Sequence, residues 1–228
     1  MAKNIAIFSD GTGQDWSTTG QTNVQKLAER ALSTIPVRGA GDDEINGVLE
    51  DSDIRQVGFY DPGIGFEWGD LIGKATGKGI SRNIKDAYKF LVRVYEPGDR
   101  IFVFGFSRGA YTVRSLAGMV GLTGVALARA PAGAGRSYDL RSDPARCQQI
   151  VNEAYRVYKT GSGKGEEGAK KRAAAAAEFR RKYIDPAQVD DAAKRAVYFI
   201  GVWDTVRSLG IPLGYRDWEL TLYPHRFH

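Results

Sequence analysis

One serine stands in a setting typical of a catalytic nucleophile. Ser107 is the centre of residues 105–109, Gly-Phe-Ser-Arg-Gly, which follow an apolar run at residues 100–105 and precede a helical pattern. A strand, a sharp turn and a helix in this order expose the serine hydroxyl at the carboxyl end of a sheet, and the N–H of Arg108 can then stabilise an oxyanion. The alternative is a serine that caps a helix after a glycine turn. We predict that Ser107 is a nucleophile.

A second polar turn follows the first predicted strand, residues 4–9. In a hydrolase of this topology the loop after an earlier strand donates the other oxyanion N–H, and Gly11 and Thr12 are the candidates. Asp10 begins the turn, and we interpret it as a residue of the substrate loop. Two alternatives are a simple Asx-turn and a dehalogenase-like phosphatase, but the phosphatase nucleophile would fall on Phe8, which excludes that chemistry.

An acid after a later strand could complete a catalytic triad. Asp204 follows residues 197–203, a predicted strand, and the order serine then aspartate agrees with the order found in α/β-hydrolases. Such an acid orients a histidine and stabilises its cation. Asp61, which follows the predicted strand at residues 54–60, is the alternative acid; we interpret it as a turn or substrate-loop residue.

The general base is the member of the proposed catalytic triad that the sequence does not assign to one residue. The chain has two histidines, His225 and His228, and both lie among its last four residues. A histidine that follows the serine and the acid has the expected order, but a base needs a firmly held ring, and chain ends are held only where something covers them. The base is therefore His228, His225 or a group outside this chain.

The segments around these residues alternate between strand and helix. The apolar strands show no polar alternation, which is typical of strands buried on both faces of a parallel sheet. We predict an α/β fold with helices on both faces, in one domain spanning residues 1–228. Residues 38–53 are rich in Gly and Asp and predict a loop. Helical patterns occur at residues 24–36, 80–95 and 108–120.

Residues 123–195 interrupt this alternation. Helices are predicted at residues 150–158 and 169–183, with a flexible charged stretch at 161–168 between them. The segment predicts a helical insertion, either a cap over the site or an excursion that packs on the edge of the sheet.

Composition narrows the function classes. The chain carries a net charge of +5 and 43% apolar residues, and it has one cysteine, Cys147, so no internal disulfide is possible. The basic excess lies near residues 164–182, which favours a solvated helix face or a membrane surface rather than nucleic acid. Residues 73–79 lack P-loop spacing, and no zinc-ligand spacing occurs. No signal peptide is evident, so we expect cytoplasmic synthesis, without metal or cofactor.

Four motifs together resemble a known family. They occupy residues 7–13, 60–65, 105–114 and 201–206, and their order and content are similar to a bacterial family of uncharacterised α/β-hydrolase domains, domain of unknown function 2235. Several members look like type VI secretion lipase effectors, which are phospholipases. The resemblance implies an α/β-hydrolase fold, Ser107 as nucleophile and Asp204 as triad acid, and export that needs no signal peptide.

The resemblance also bears on the end of the chain. Residues 226–228 look like the start of a family segment, Phe-His-Asp-Thr, that normally leads to a further histidine. The chain therefore resembles a truncated copy that lacks its last strand. Two functions are open: a serine esterase acting on lipids, or an incomplete hydrolase scaffold that binds a lipid or a protein partner. In the scaffold alternative, a protein partner would complete the sheet. A type VI secretion effector would instead have an immunity protein as its partner.

Overall fold

The computed structural model describes residues 2–11, 21–32, 47–50, 55–63, 78–129, 138–161, 165–184 and 197–205. Within these ranges strands and helices alternate. The strands are β1 (Asn4–Ser9), β2 (Gly47–Glu50), β3 (Arg55–Asp61), β4 (Arg100–Phe106) and β5 (Phe199–Trp203). The helices are α1 (Asn23–Ala31), α2 (Lys78–Val94), α3 (Arg108–Thr123), α4 (Pro144–Lys159) and α5 (Gly165–Tyr183).

The strands form one sheet in the order β2-β3-β1-β4-β5. β3, β1, β4 and β5 run parallel to one another, and β2 is antiparallel to β3. The central strand is β1, where Phe8 is in register with Tyr60 on one side and Phe104 on the other. The carboxyl ends of β1, β3, β4 and β5 therefore meet at one edge of the sheet. The predicted α/β class and the mostly parallel sheet are confirmed.

Helices cover both faces of the sheet because side chains alternate along each strand. Ile5 and Ile7 of β1 are buried in a cluster with residues of α2 and α3. Ala6 and Phe8 face the other way and pack with Val24 of α1. The helices on both faces that the alternation predicted are thus present.

One predicted loop and the end of α1 differ from the predictions. Residues 47–50, predicted as loop, form β2, in which Val48 pairs with Val57 of β3. Val48 and Leu49 are only two apolar residues between Gly- and Asp-rich stretches, which is too few to predict a strand. The strand forms because it pairs with β3. α1 ends at Ala31 rather than near residue 36, because the backbone of Leu32 is extended.

The helices of the insertion are longer than predicted. α4 begins at Pro144, where the side chain of Asp143 accepts a hydrogen bond from the N–H of Arg146, a helix cap that sets the start. α5 begins at Gly165, inside the stretch predicted to be flexible, and Glu166 pairs with Lys170 along its first turns.

Both insertion helices pack on the outer side of the helical layer. α4 contacts α2 and α3, and α5 contacts α3 and α4. Ala154 and Phe179 are buried in the same cluster as α2 and α3. Cys147, in the first turn of α4, is buried there too. Among the described residues, no helix is both long and apolar enough to span a bilayer.

Candidate active site

The turn between β4 and α3 holds Ser107 in a strained conformation. Its φ of 54° and ψ of −117° lie where a side chain is disfavoured. Within the described ranges, Asp204 is the other non-glycine residue with positive φ. Strain of this kind costs about 1–3 kcal/mol and persists where the surroundings impose it.

Two glycines make this turn possible. A Cβ on Gly105 would lie 2.6 Å from the carbonyl oxygen of Gly109. A Cβ on Gly109 would lie 2.0 Å from the carbonyl oxygen of Ser9. The helix therefore starts in direct contact with the end of β1, and only glycine fits at either position. This is the physical reason for the Gly-x-Ser-x-Gly pattern in the chain.

The hydroxyl of Ser107 makes no capping bond to α3. Its backbone is held instead, since its N–H donates to the carbonyl oxygen of Trp203 at 3.0 Å and its carbonyl accepts from the N–H of Tyr111 at 3.3 Å. A serine that serves as a helix cap would use its side chain for this bond. The geometry thus disagrees with the helix-cap alternative and leaves the side chain available for chemistry.

Asp204 lies at the neighbouring strand end. The register pairs Phe106 with Trp203, the last residues of β4 and β5, so Ser107 and Asp204 each follow directly on adjacent strands. Asp204 has a φ of 43° and an exposed side chain. The tertiary structure therefore brings together two residues that are 97 positions apart.

Arg108 is the first residue of α3. The first N–H groups of a helix have no partner within the helix, and they carry its positive end. The N–H of Arg108 therefore lies at the positive end of α3, directly after Ser107. Partial burial lowers the pKa of its guanidinium, yet an arginine remains charged.

The carboxylate of Asp10 points into the protein. Asp10 is 1% exposed and accepts hydrogen bonds from the Thr22 hydroxyl at 2.6 Å and the Tyr60 hydroxyl at 2.9 Å. Its other oxygen accepts from the N–H of Gly11 at 3.1 Å. Burial, and then the charge of Asp10, raise the pKa of the Tyr60 hydroxyl far above its usual range, so it stays a donor.

Asp61 is also bound inward. It accepts from the Ser9 hydroxyl at 3.0 Å, the Asn83 amide at 2.7 Å and the N–H of Gly63 at 3.0 Å. Burial is the main cause that raises the pKa of Asp61 to about 6, although its three hydrogen bonds oppose the rise. Both aspartates predicted in substrate loops thus have their carboxylates engaged by the protein itself.

Gly11 lies between Asp10 and the candidate nucleophile. A Cβ built on it would be 3.2 Å from the Cβ of Ser107 and 3.1 Å from the ring of Phe106. The turn after β1 therefore lies beside the serine. Three candidates, Thr12, His225 and His228, lie outside the described residues.

Sequence reasoning missed the donors that hold the two aspartates. Thr22 directly precedes α1, and Asn83 is one polar position in the helical pattern at residues 80–95. Their roles depend on partners in distant strands, so no local signal could have identified them. Ser9 and Tyr60 directly precede the two aspartates, and their positions at strand ends were the available signal.

Comparisons with known proteins identify sequences that are similar to this chain. Residues 3–226 match the family described as T6SS phospholipase effector Tle1-like, catalytic domain. The chain is 26% identical over 227 residues to the uncharacterized protein YEL023C of Saccharomyces cerevisiae (strain ATCC 204508 / S288c), covering 92% of this chain and 27% of that protein. The chain thus spans about a quarter of that relative's length. No solved structure gives a significant match.

Proposed function

Because the chain belongs to the family of T6SS phospholipase effector Tle1-like catalytic domains, we propose that it is a serine hydrolase that cleaves carboxylic esters of phospholipids through an acyl-enzyme on Ser107. One observation carries the proposal. Ser107 occupies a strained turn between a buried parallel strand and a helix N-terminus, with its hydroxyl not used as a cap. That is the arrangement that a nucleophile in an α/β-hydrolase fold requires.

The proposed reaction has two halves. The Ser107 oxygen attacks the acyl carbon while a histidine takes the hydroxyl proton, and the resulting oxyanion is held by N–H groups. The intermediate collapses with cleavage of the ester C–O bond, and the histidine returns the proton to the departing lysophospholipid alcohol. Water then attacks the acyl-enzyme with the same base, which releases the fatty acid and restores Ser107. Asp204 orients the histidine and stabilises its cation.

The oxyanion has one donor on each side. Arg108 supplies the N–H at the start of α3, and the turn after β1 supplies the other. The N–H of Gly11 already donates to Asp10, and this favours Thr12 over Gly11 as the second donor. The base is His228 or His225, or a histidine supplied from outside this chain.

A substrate in a bilayer would bring further interactions. We propose that the protein acts at a membrane surface, that it is exported by type VI secretion, and that an immunity protein protects the producing cell. These statements rest on the family description, which names a phospholipase effector.

The test is ester hydrolysis by this chain with matched serine variants. Wild type, Ser107→Ala and Ser115→Ala are assayed on p-nitrophenyl butyrate and on phosphatidylglycerol vesicles, with fatty acid release as the second readout. Ser115 is a buried serine of the same helix α3. We expect Ser107→Ala to lose at least about 10³-fold in kcat, while Ser115→Ala stays near wild type. A fluorophosphonate probe should label wild type and spare Ser107→Ala; equal labelling of both would contradict the proposal.

His228→Ala and His225→Ala, assayed in parallel, identify the base. Loss of activity in one variant alone assigns the base to that residue. If the folded wild type neither hydrolyses ester nor takes the label, the hydrolase function proposed for this chain is wrong and a binding function is favoured.

Exposed apolar side chains on β5 favour a second candidate, an incomplete scaffold that binds a protein partner. Tyr198, just before β5, is 62% exposed, and Phe199 and Ile200 on β5, the last strand of the described sheet, are 49% and 45% exposed. Large apolar patches at a sheet edge are typical of interaction sites. A monomer in gel filtration that does not bind an apolar dye would contradict this candidate.

A further inference from the structure

Asp61 ties three separate segments together behind the candidate nucleophile. It accepts from Ser9 at the end of β1, from Asn83 in α2 and from the N–H of Gly63 in its own turn. Hydrogen bonds to a charged group contribute more than neutral ones. A single carboxylate therefore sets the positions of two strand ends and one helix.

The turn after β1 is held by the same group of residues. The N–H of Asp10 donates to the carbonyl oxygen of Asp61 at 2.9 Å. The Asp10 carboxylate is fixed in turn by Thr22, whose hydroxyl also caps α1, and by Tyr60. The turn is thus anchored by hydrogen bonds to β3 and to the start of α1.

Close backbone contacts connect the Asp61 turn, through the turn after β1, to Ser107. Gly63 packs so tightly on Gly11 that a Cβ on Gly63 would lie 2.3 Å from the carbonyl oxygen of Gly11. On the other side Gly11 contacts Ser107, and Gly109 contacts Ser9. The turn is therefore clamped between the Asp61 turn and the start of α3, so movement of Asp61 would change its distance from Ser107.

We propose that Asp61 is a positioning residue of the hydrolase, which holds the turn after β1 at the distance from Ser107 that the oxyanion requires. The inference deepens the proposed function and depends on it. Asp61 acts through other residues, since its carboxylate is already engaged by three donors of the protein. Displacement of such a support by about 1 Å can cost roughly 10²-fold in rate, because catalysis depends on fixed geometry.

An amide at this position cannot accept all three hydrogen bonds with the donors oriented as they are here. Asp61 uses one oxygen for Gly63 and the other for both Ser9 and Asn83. In Asp61→Asn, whichever side the amide nitrogen takes, it meets an N–H donor. In the exchanged pair Asp61→Asn with Asn83→Asp, the new amide can donate to the new carboxylate, and the amide oxygen can accept from Gly63.

The experiment measures kcat and KM of the full chain on p-nitrophenyl butyrate. The variants are Asp61→Asn, the exchanged pair and Tyr88→Phe, and each is checked by circular dichroism and thermal melting. Tyr88 is a matched control, since its buried hydroxyl donates to the carbonyl oxygen of Gly124, just beyond the far end of α3. Loss of that bond removes stability without reaching the site.

We expect kcat of Asp61→Asn to fall roughly 10- to 100-fold with KM changed less than about threefold. The exchanged pair should recover most of kcat, and Tyr88→Phe should keep it despite a lower melting temperature. A kcat for Asp61→Asn within about twofold of wild type, or an equal loss in Tyr88→Phe, would overturn the inference. A wild type that shows no turnover and no fluorophosphonate labelling at Ser107 would instead overturn the proposed function, and the inference with it.

Discussion

The N–H of Ser107 donates to the carbonyl oxygen of Trp203 at 3.0 Å. This bond extends the pairing of β4 with β5 by one residue beyond the strand ends. It joins the turn that presents the candidate nucleophile to the strand that leads into the candidate acid. The positions of Ser107 and Asp204 in the proposed triad therefore depend on the register of the two parallel strands that they follow.

Replacement of Asp204 tests the acid at the end of β5. We expect Asp204→Asn to lower kcat by about 10²–10⁴-fold with little change in fold, because the histidine would lose its orientation and the stabilisation of its cation. Glu167→Gln, an exposed acid on α5, is the control and should keep wild-type activity. Steady-state kinetics on p-nitrophenyl butyrate measure both. Activity of Asp204→Asn within threefold of wild type would rule out Asp204 as the acid.

The strain at Ser107 should lower the free energy of unfolding of the protein. Glycine accepts the positive φ of this position, whereas alanine keeps the Cβ conflict. We expect Ser107→Gly to be more stable than Ser107→Ala by roughly 1 kcal/mol, after the higher entropy of unfolded glycine is subtracted. Urea unfolding of the two inactive variants measures the difference directly. Equal stability would mean that the turn carries no such strain.

Two glycines of α3 should respond in opposite ways to the same substitution. Gly109→Ala would place its Cβ 2.0 Å from the carbonyl oxygen of Ser9, so we expect a loss of several kcal/mol or failure to fold. Gly121 has open space around its position, and Gly121→Ala should gain about 0.5–1 kcal/mol from helix propensity. Thermal melts of both variants test this contrast. A stable Gly109→Ala would show that α3 can shift away from β1.

The buried carboxyl of Asp61 should make stability depend on pH. Its folded-state pKa of about 6 lies above the usual 3.8, chiefly because of burial and with a contribution from Asp86. The folded protein then binds this proton more tightly than the unfolded chain. The resulting stabilisation is complete below about pH 4 and is lost as the pH rises through about 6.

Urea unfolding of wild type and Asp61→Asn between pH 4 and 7.5 measures how much Asp61 contributes to the pH dependence of stability. The free energy of unfolding of wild type minus that of the variant should decrease as the pH rises across this window. A difference that stays flat or increases would contradict the raised pKa.

Local sequence was sufficient to predict most of the elements and the candidate nucleophile. The apolar runs of β1 and β4 are uninterrupted, and β3 carries Val57, Phe59 and Tyr60, so these strands could be recognised without a partner. The spacing of Gly105, Ser107 and Gly109 imposes its turn because a side chain at either glycine would collide with backbone. These signals reside in a few consecutive residues, and the structure places them as predicted.

Other features arose only from tertiary contacts. β2 exists because Val48 and its neighbours pair with β3, and its own composition resembles a loop. Asp10 and Asp61 were predicted in substrate loops from their positions after strands, and their sequence neighbours could not show that Thr22 and Asn83 turn the carboxylates inward. A side chain at a strand end can point to solvent or to the core with the same local sequence. Which of the two occurs depends on donors contributed by distant elements, and folding alone brings those together.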